Sequence, residues 1–335
     1  MMLPMPAGFR PFAGLKIGHA QDGVSLTGCT IFLCEAGMIA ACDIRGGATG
    51  SREIDVLTPG HLAPHIHALV LAGGSAFGLD AASGVMKWCE ERGVGLDVGI
   101  TRVPIVSAAN LFDLAIGDKS TSLPPPHYRH PNAEMGYTAC TTATEFPAAE
   151  GNVGAGTGCT VGKLLGMSCS MKSGIGCWTE TVHSAGEAVR VSALAAVNAF
   201  GDICDPDSGR ILAGTRRSAD SREFLDTAAA LRSGAAREFV IGANTVLVAV
   251  VTDAALTRPE ASRLAIMASA GFARTIRPAF STFDGDIVFA LSVGKRRADI
   301  NALGAAAAEA TARAIVRGVT QAQPAGGIPS QSVNS

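Results

Sequence analysis

The sequence predicts a mixed α and β fold around a large buried core. Three observations carry this. The 335 residues are 47% hydrophobic and only 17% charged, a balance that fills a core and argues against disorder. Unbroken apolar runs of strand length alternate with stretches whose apolar residues recur at helical spacing. The 40 glycines, set against 5% aromatics, point to tight turns and close backbone contacts.

The elements follow in chain order. His67 to Ala72 reads as a buried strand. Gly73-Gly74-Ser75 breaks it and caps a helix over about Ala76 to Arg92. Leu79, Ala82, Met86 and Cys89 share one face of that helix, and Gly93 stops it. Leu123 to Pro131 is Pro-rich and reads as an exposed loop, and Val189 to Asn198 as a strand ending at an amide side chain. The span 205–238 is polar, carries Arg216-Arg217 and holds only a weak helix around Phe224 to Leu231, so it reads as a loose linker. Val246 to Val251 is an apolar strand, and Thr257-Arg258-Pro259-Glu260 has the capping-box pattern that opens a helix to about Arg274. Ile287 to Val293 is a further strand, and Asp299 to Arg317 an Ala-rich helix stopped by Gly318. The span 1–320 forms one domain, and the Gln/Pro/Gly/Ser-rich stretch 321–335 is expected to be a disordered tail.

Charge narrows the function. The 27 Lys and Arg nearly balance the 29 Asp and Glu, so neither nucleic acid nor an anionic membrane is expected as a partner. Runs such as Ala68 to Ala72 are far shorter than the ~20 residues of a membrane span. Met1 to Arg10 lacks the basic end and long apolar stretch of a secretory signal. The nine scattered cysteines are expected to be reduced thiols, and the protein cytoplasmic.

Three groups of residues bear on chemistry. Gly151 to Lys163 is glycine-rich, but Thr157 and Leu164 break the phosphate-loop pattern, and Cys159 or Val161 falls where a dinucleotide loop needs its third Gly. A tightly packed turn is the better reading, and no cofactor is expected. It leaves Lys163 as a lone cation in an uncharged run from Gly151 to Met171, a candidate for stabilising charge in a site. His61, His65 and His67 cannot share one helix face and have no carboxylate or cysteine cluster beside them, so they read as surface and turn histidines rather than metal ligands. Cys159 and Cys177 have no thiolate-stabilising neighbour in sequence and read as small buried residues.

Asn244-Thr245 is the most informative pair. Taken alone, Thr245 is a β-former at a strand edge. Were the bond before it cut, its hydroxyl and a new α-amine would sit on one residue. An amine of pKa about 8 could then accept the hydroxyl proton near neutral pH. Asp284-Gly285-Asp286 places two carboxylates on one face at the start of the next strand, either as a turn or as a pair that orients the amine or binds a substrate cation.

At these residues the sequence resembles the L-aminopeptidase/D-esterase (DmpA-type) family of self-processing hydrolases, which includes β-peptidyl aminopeptidases and nylon-oligomer (6-aminohexanoate-oligomer) hydrolases. The resemblance runs through Leu15 to His19, Asp43 to Gly47, Ser51 to Asp55, Leu71 to Ala82, Val103 to Val106, Gly151 to Lys163, Lys172 to Gly176, Val197 to Asp202, Asn244-Thr245 and Asp284 to Ala290. It implies an α+β fold layered as a four-layer αββα sandwich, like the N-terminal-nucleophile hydrolases. It implies self-cleavage at Asn244-Thr245 into fragments 1–244 and 245–335. Thr245 matches the nucleophile, Lys163 a lysine near it, Asn198 an asparagine of the oxyanion hole, and Asp284 and Asp286 an acidic pair. The implied partner is a small peptide or amide with a free amino group, and the implied assembly a homo-oligomer, a tetramer of α/β heterodimers. Val246 and Phe112 depart from the Thr or Ser and the Tyr of many relatives. Besides an aminopeptidase or amidase, an endo-acting oligoamide hydrolase, an acyltransferase of the ornithine-acetyltransferase type and an uncleaved non-catalytic homologue are the alternatives.

Overall fold

The computed structural model describes residues 8–120, 128–145, 148–184, 186–234 and 244–331. Eight principal strands are β1 (Lys16–Asp22), β2 (Thr27–Ile44), β3 (Ile66–Ala72), β4 (Val106–Asn110), β5 (Ile175–Ser184), β6 (Glu187–Asn198), β7 (Thr245–Ala254) and β8 (Ile287–Arg296). The helices are α1 (Ala81–Glu90), α2 (Ala133–Thr141), α3 (Thr227–Arg232), α4 (Arg258–Ala268), α5 (Ala270–Thr275) and α6 (Ile300–Thr320).

The ladder order β5-β6-β7-β8-β2-β3-β4 is continuous, with β1 also paired to β2. Continuity does not make it one flat layer. β2 pairs β1 and β3 through Thr27 to Leu33, and β8 through Ile39 to Ile44. Between these stretches the register shifts, and Gly37 takes a left-handed φ of 85°. One long strand thus serves two sheets.

Side-chain alternation then builds the layers. Leu194 and Ala196 of β6, Leu247, Ala249 and Val251 of β7, and Phe289 and Leu291 of β8 pack with Phe32, Leu69 and Leu71 between the sheets. The opposite faces of β6 and β7, Val189 to Val197 and Val246 to Val250 at alternate positions, pack on Leu264, Phe272, Leu303 and Ile315 of α4 to α6. On the far side Ile31, Leu33, Ala68 and Val70 meet Val85, Trp88 and Cys89 of α1 and Ala139 of α2. The result is the expected αββα sandwich. All ten residues of β7 are buried; each fully buried Val or Leu contributes about 1.5–3 kcal/mol relative to exposure.

Some boundaries differ from expectation. The helix foreseen from Ala76 starts as a 3₁₀ turn, Ser75–Asp80, and becomes α-helical at Ala81. Gly93 does end that stretch, with a φ of 63°. Thr257 and Glu260 form the reciprocal capping box, but the following helix breaks at Ser269, whose hydroxyl donates to Asp43 and to the Ala265 carbonyl. Gly318 does not stop α6, which runs to Thr320; a Cβ there would stand 2.4 Å from Val197 Cγ2, so this glycine lets the helix lie close on β6.

Two regions expected to be loose are packed. In 205–234, Ile211–Ala213 pairs with Asp202–Cys204, Arg216 is buried against the carbonyls of Ser168 and Ser170, and Asp226 caps α3. Polar composition misled here because the polar groups are used internally: Asp202 accepts from Thr215 N–H and from the N–H and hydroxyl of Thr227. The rest of that span, 235–238, lies outside the described residues. The tail is also ordered through 331, with Ala322, Ile328 and Ser330 buried and Lys172 N–H donating to the Pro329 carbonyl at 2.7 Å. Of the Pro-rich loop, 123–127 lies outside the described residues, and Tyr128 and Arg129 are exposed. Among the described residues no helix is long and apolar enough to cross a membrane.

Candidate active site

The site forms where β6 ends and β7 and β8 begin. In the antiparallel β6–β7 ladder Asn198 stands opposite Thr245. Alternation puts both side chains on the inter-sheet face, with Ala196 and Leu247. β8 runs parallel to β7, and just ahead of it Asn244 bridges to Asp284. The sequence therefore brings Asn198, Asn244, Thr245, Asp284 and Asp286 together, and all five are buried.

The peptide before Thr245 is held on both sides. Its carbonyl oxygen, that of Asn244, accepts from Thr245 Oγ1 at 2.5 Å and from Gly285 N–H at 2.9 Å. On the far side of Thr245, Val246 N–H donates to Asp286 Oδ1 at 2.8 Å. The loop after β2 fixes the acidic turn: Arg45 N–H donates to the Asp286 carbonyl and Ala48 N–H to that of Asp284. Glycine lets the turn lie close here: a Cβ at 285 would stand 2.6 Å from Thr245 Oγ1.

Both carboxyls are engaged by donors inside the protein. Asp284 accepts from Phe200 N–H at 3.1 Å and from the Ser281 hydroxyl and N–H. Asp286 accepts from Val246 N–H and from Phe280 N–H at 3.4 Å. Burial raises both pKa values, and Asp284 raises that of Asp286 further, well above the carboxylate range.

Lys163 lies in the site and is buried. Its ammonium donates to Asn198 Oδ1 at 2.8 Å. Burial lowers its pKa to about 7, against the weaker opposing pull of Cys159, Asp284 and Asp113. Asn198 Oδ1 also accepts from Thr160 N–H at 3.1 Å, and Asn198 Nδ2 donates to the Phe112 carbonyl at 2.9 Å. In the intact chain that amide is engaged with main chain, and the residue at 112 acts through a carbonyl that Phe and Tyr share.

The glycine run is the close-packed turn the sequence indicated. Cβ atoms at Gly156, Gly158 and Gly162 would fall within 2.4 Å of the Ile175, Leu26 and Gly214 backbones. His61 and His65 are exposed, whereas His67 is buried, not a surface residue, and accepts from Ile105 N–H at 3.2 Å. Cys159 and Cys177 are fully buried, and burial pushes Cys159 up to about 12.

Sequence reasoning missed Gly285 N–H, Thr160 N–H and the Phe112 carbonyl, since main-chain groups carry no side-chain signature. It also missed Ser281, Asp113 and Lys172. Lys172 had a signal, for it ends the same uncharged run that singled out Lys163.

Two sheets packed between helical layers, with Thr245 leading a central strand, define an N-terminal-nucleophile type of hydrolase fold. Solved structures agree: L-aminopeptidase D-Ala-esterase/amidase from Ochrobactrum anthropi, described as a variant of that fold, superposes with a TM-score of 0.69 at 17% identity, covering 96% of this chain and 89% of that one. A β-aminopeptidase from a Burkholderia species gives 0.64 at 20% identity, with 96% and 89% covered. The chain belongs to peptidase family S58, whose sequence profile matches residues 12–333. An uncharacterized aminopeptidase of Mycobacterium tuberculosis is 39% identical over 346 residues, 94% of either chain. A 6-aminohexanoate-oligomer endohydrolase of Paenarthrobacter ureafaciens is 28% identical over 323 residues, 89% of this chain and 82% of that one.

Proposed function

We propose that this hydrolase cuts itself between Asn244 and Thr245 and then uses Thr245 to hydrolyse small amides that bear a free amino group. One observation carries the reading. The Thr245 hydroxyl lies against the carbonyl of its own preceding peptide, and that oxygen already takes a hydrogen bond from Gly285 N–H.

In maturation, Thr245 Oγ attacks the Asn244 carbonyl carbon and its proton leaves. Gly285 N–H stabilises the oxyanion, the C–N bond breaks and the nitrogen takes up the proton that Oγ lost, becoming the Thr245 amine. Water then hydrolyses the Asn244 ester to a carboxylate. In turnover the new amine accepts the Thr245 hydroxyl proton as Oγ attacks the substrate carbonyl. Asn198 Nδ2 turns from Phe112 to the substrate oxyanion, and Lys163 stabilises the Thr245 oxygen. The departing amine takes a proton, and water releases the acyl group. Asp286 keeps Val246 in place.

Intact mass tests the maturation step. The wild type is expected as two co-purifying species, 1–244 and 245–335, and Thr245→Ala as one uncut and inactive chain. Active protein of full-length mass would overturn the reading. Likeness to the oligomer endohydrolases favours a second reading, endo-acting cleavage of oligoamides. Free and N-acetylated forms of one small amide separate the two: equal turnover of both would sink the aminopeptidase assignment.

A further inference from the structure

We propose that Lys172 is a positioning residue for this chemistry, fixing the Asn198 amide through the glycine loop that leads to Thr160. The proposal rests on the reading of Thr245 as nucleophile.

Lys172 is 0% exposed and among the largest fully buried side chains. Its ammonium donates to the carbonyls of Gly156 (3.3 Å), Cys159 (3.0 Å) and Ser173. All three partners are main-chain carbonyls, not carboxylates. Burying an ammonium without a counter-ion is costly, and a methionine would fill the same space free of that cost. The cation therefore needs a return, and the loop supplies one. Gly156 and Gly158 give the chain between Val153 and Thr160 little stiffness of its own. Lys172 gathers two of its carbonyls to one point.

The consequence reaches the site by two short routes. Thr160 is the ladder partner of Lys172, and Thr160 N–H donates to Asn198 Oδ1 at 3.1 Å. Three residues on, Lys163 donates to the same oxygen. On the other side, Ser173 N–H donates to the Cys159 carbonyl, the Ser173 hydroxyl to the Val197 carbonyl at 2.5 Å, and Val197 N–H to the Gly174 carbonyl. Residues 172–174 thus grip both the loop and the residue before Asn198. Losing the ammonium frees the Gly156 carbonyl, leaves the Cys159 carbonyl to Ser173 N–H alone, and lets the Thr160 donor drift, and with it the Asn198 amide.

The test uses Lys172→Met and Lys172→Gln, each alone and combined with Asn198→Ala. Self-cleavage is followed by intact mass, and kcat and KM are measured per processed site on one small amide. A misplacement approaching 1 Å predicts that Lys172→Met lowers kcat about 10–100-fold with KM within about twofold. Lys172→Gln, which keeps an amide donor, recovers part of the loss. In the Asn198→Ala background Lys172→Met adds less than about threefold, because its effect passes through the missing amide. Wild-type kcat in folded Lys172→Met, a fully additive loss with Asn198→Ala, or failure of both variants to fold would each overturn the proposal, the last by assigning Lys172 to the fold alone. Thr245→Ala runs alongside: turnover surviving there refutes the nucleophile whatever Lys172 does, whereas a dead Thr245→Ala beside a wild-type-like Lys172→Met refutes only the positioning role.

Discussion

Gly285→Ala tests whether the contact between the Thr245 hydroxyl and the preceding carbonyl is the reacting geometry. The added methyl would stand 2.6 Å from Thr245 Oγ1 and 2.7 Å from the Ala48 carbonyl oxygen. The first distance is about 0.8 Å short of the 3.4 Å at which ordinary contact begins. Ala48 is the stiffer neighbour, because its N–H is tied to the Asp284 carbonyl. The hydroxyl yields more, by rotating off the Asn244 carbonyl, while the Ala48 carbonyl must also give by some tenths of an ångström. A displacement near 1 Å costs ~10²-fold in a step that depends on attack geometry. Overpacking of this kind costs about 1–3 kcal/mol in stability, which leaves a folded chain. The assay is the time course of intact mass after expression, with thermal unfolding as the control for folding. The variant should accumulate as a stable, uncut chain that cleaves some hundredfold more slowly. Cleavage at the wild-type rate would show that the observed contact is not the one that reacts.

Three further outcomes are expected. Asn198→Ala in processed protein should lower kcat ~10²–10³-fold, as loss of one oxyanion donor does, with a smaller change in KM; steady-state kinetics with unchanged kcat would remove it from the site. Lys163 has a folded pKa of about 7 against the ordinary 10.5, so the unfolded chain binds more protons in between. The penalty for burying it is full below about pH 7 and fades as pH rises toward 10.5, so Lys163→Met should gain most over wild type near pH ~6 and least near pH ~10; a gap in Tm that does not change with pH would contradict this. Thr257→Ala removes the hydroxyl of the capping box and should cost ~1 kcal/mol, read as a lower Tm by circular dichroism, with no change in cleavage.

The strands were legible wherever an apolar run is buried on both faces. Val246 to Val251 needs no partner to be recognised, because its neighbours on either side are also apolar. The layers were legible only through resemblance, since no local pattern records that β2 bends from one sheet into the other at Gly37. Composition failed for 205–234 and 321–331, where polar side chains satisfy buried main chain instead of facing water. Asp202 and Arg216 are the clearest cases. In the site, side chains with distinctive chemistry could be named in advance, but their partners could not. The acidic pair shows why: alternation places Asp284 and Asp286 on one face, yet says nothing of the Val246, Phe280 and Phe200 N–H groups that reach them first.

The strand order bears on how such a protein can be made. β7 and β8 both lie after Thr245, and in the sheet they sit between β6 and β2, which both lie before it. A chain divided at that point would become two interleaved pieces: the first with a gap between β6 and β2, the second a β7–β8 pair with both outer edges bare. Neither piece closes a sheet alone, and each would present unpaired strand edges until it met the other. Synthesis as one chain would remove that hazard, because the interleaving would be complete before any bond was broken. It would also make the pieces non-exchangeable afterwards: swapping one would require pulling β7, buried throughout, and β8, buried from Ile287 to Ser292, out of the middle of a core.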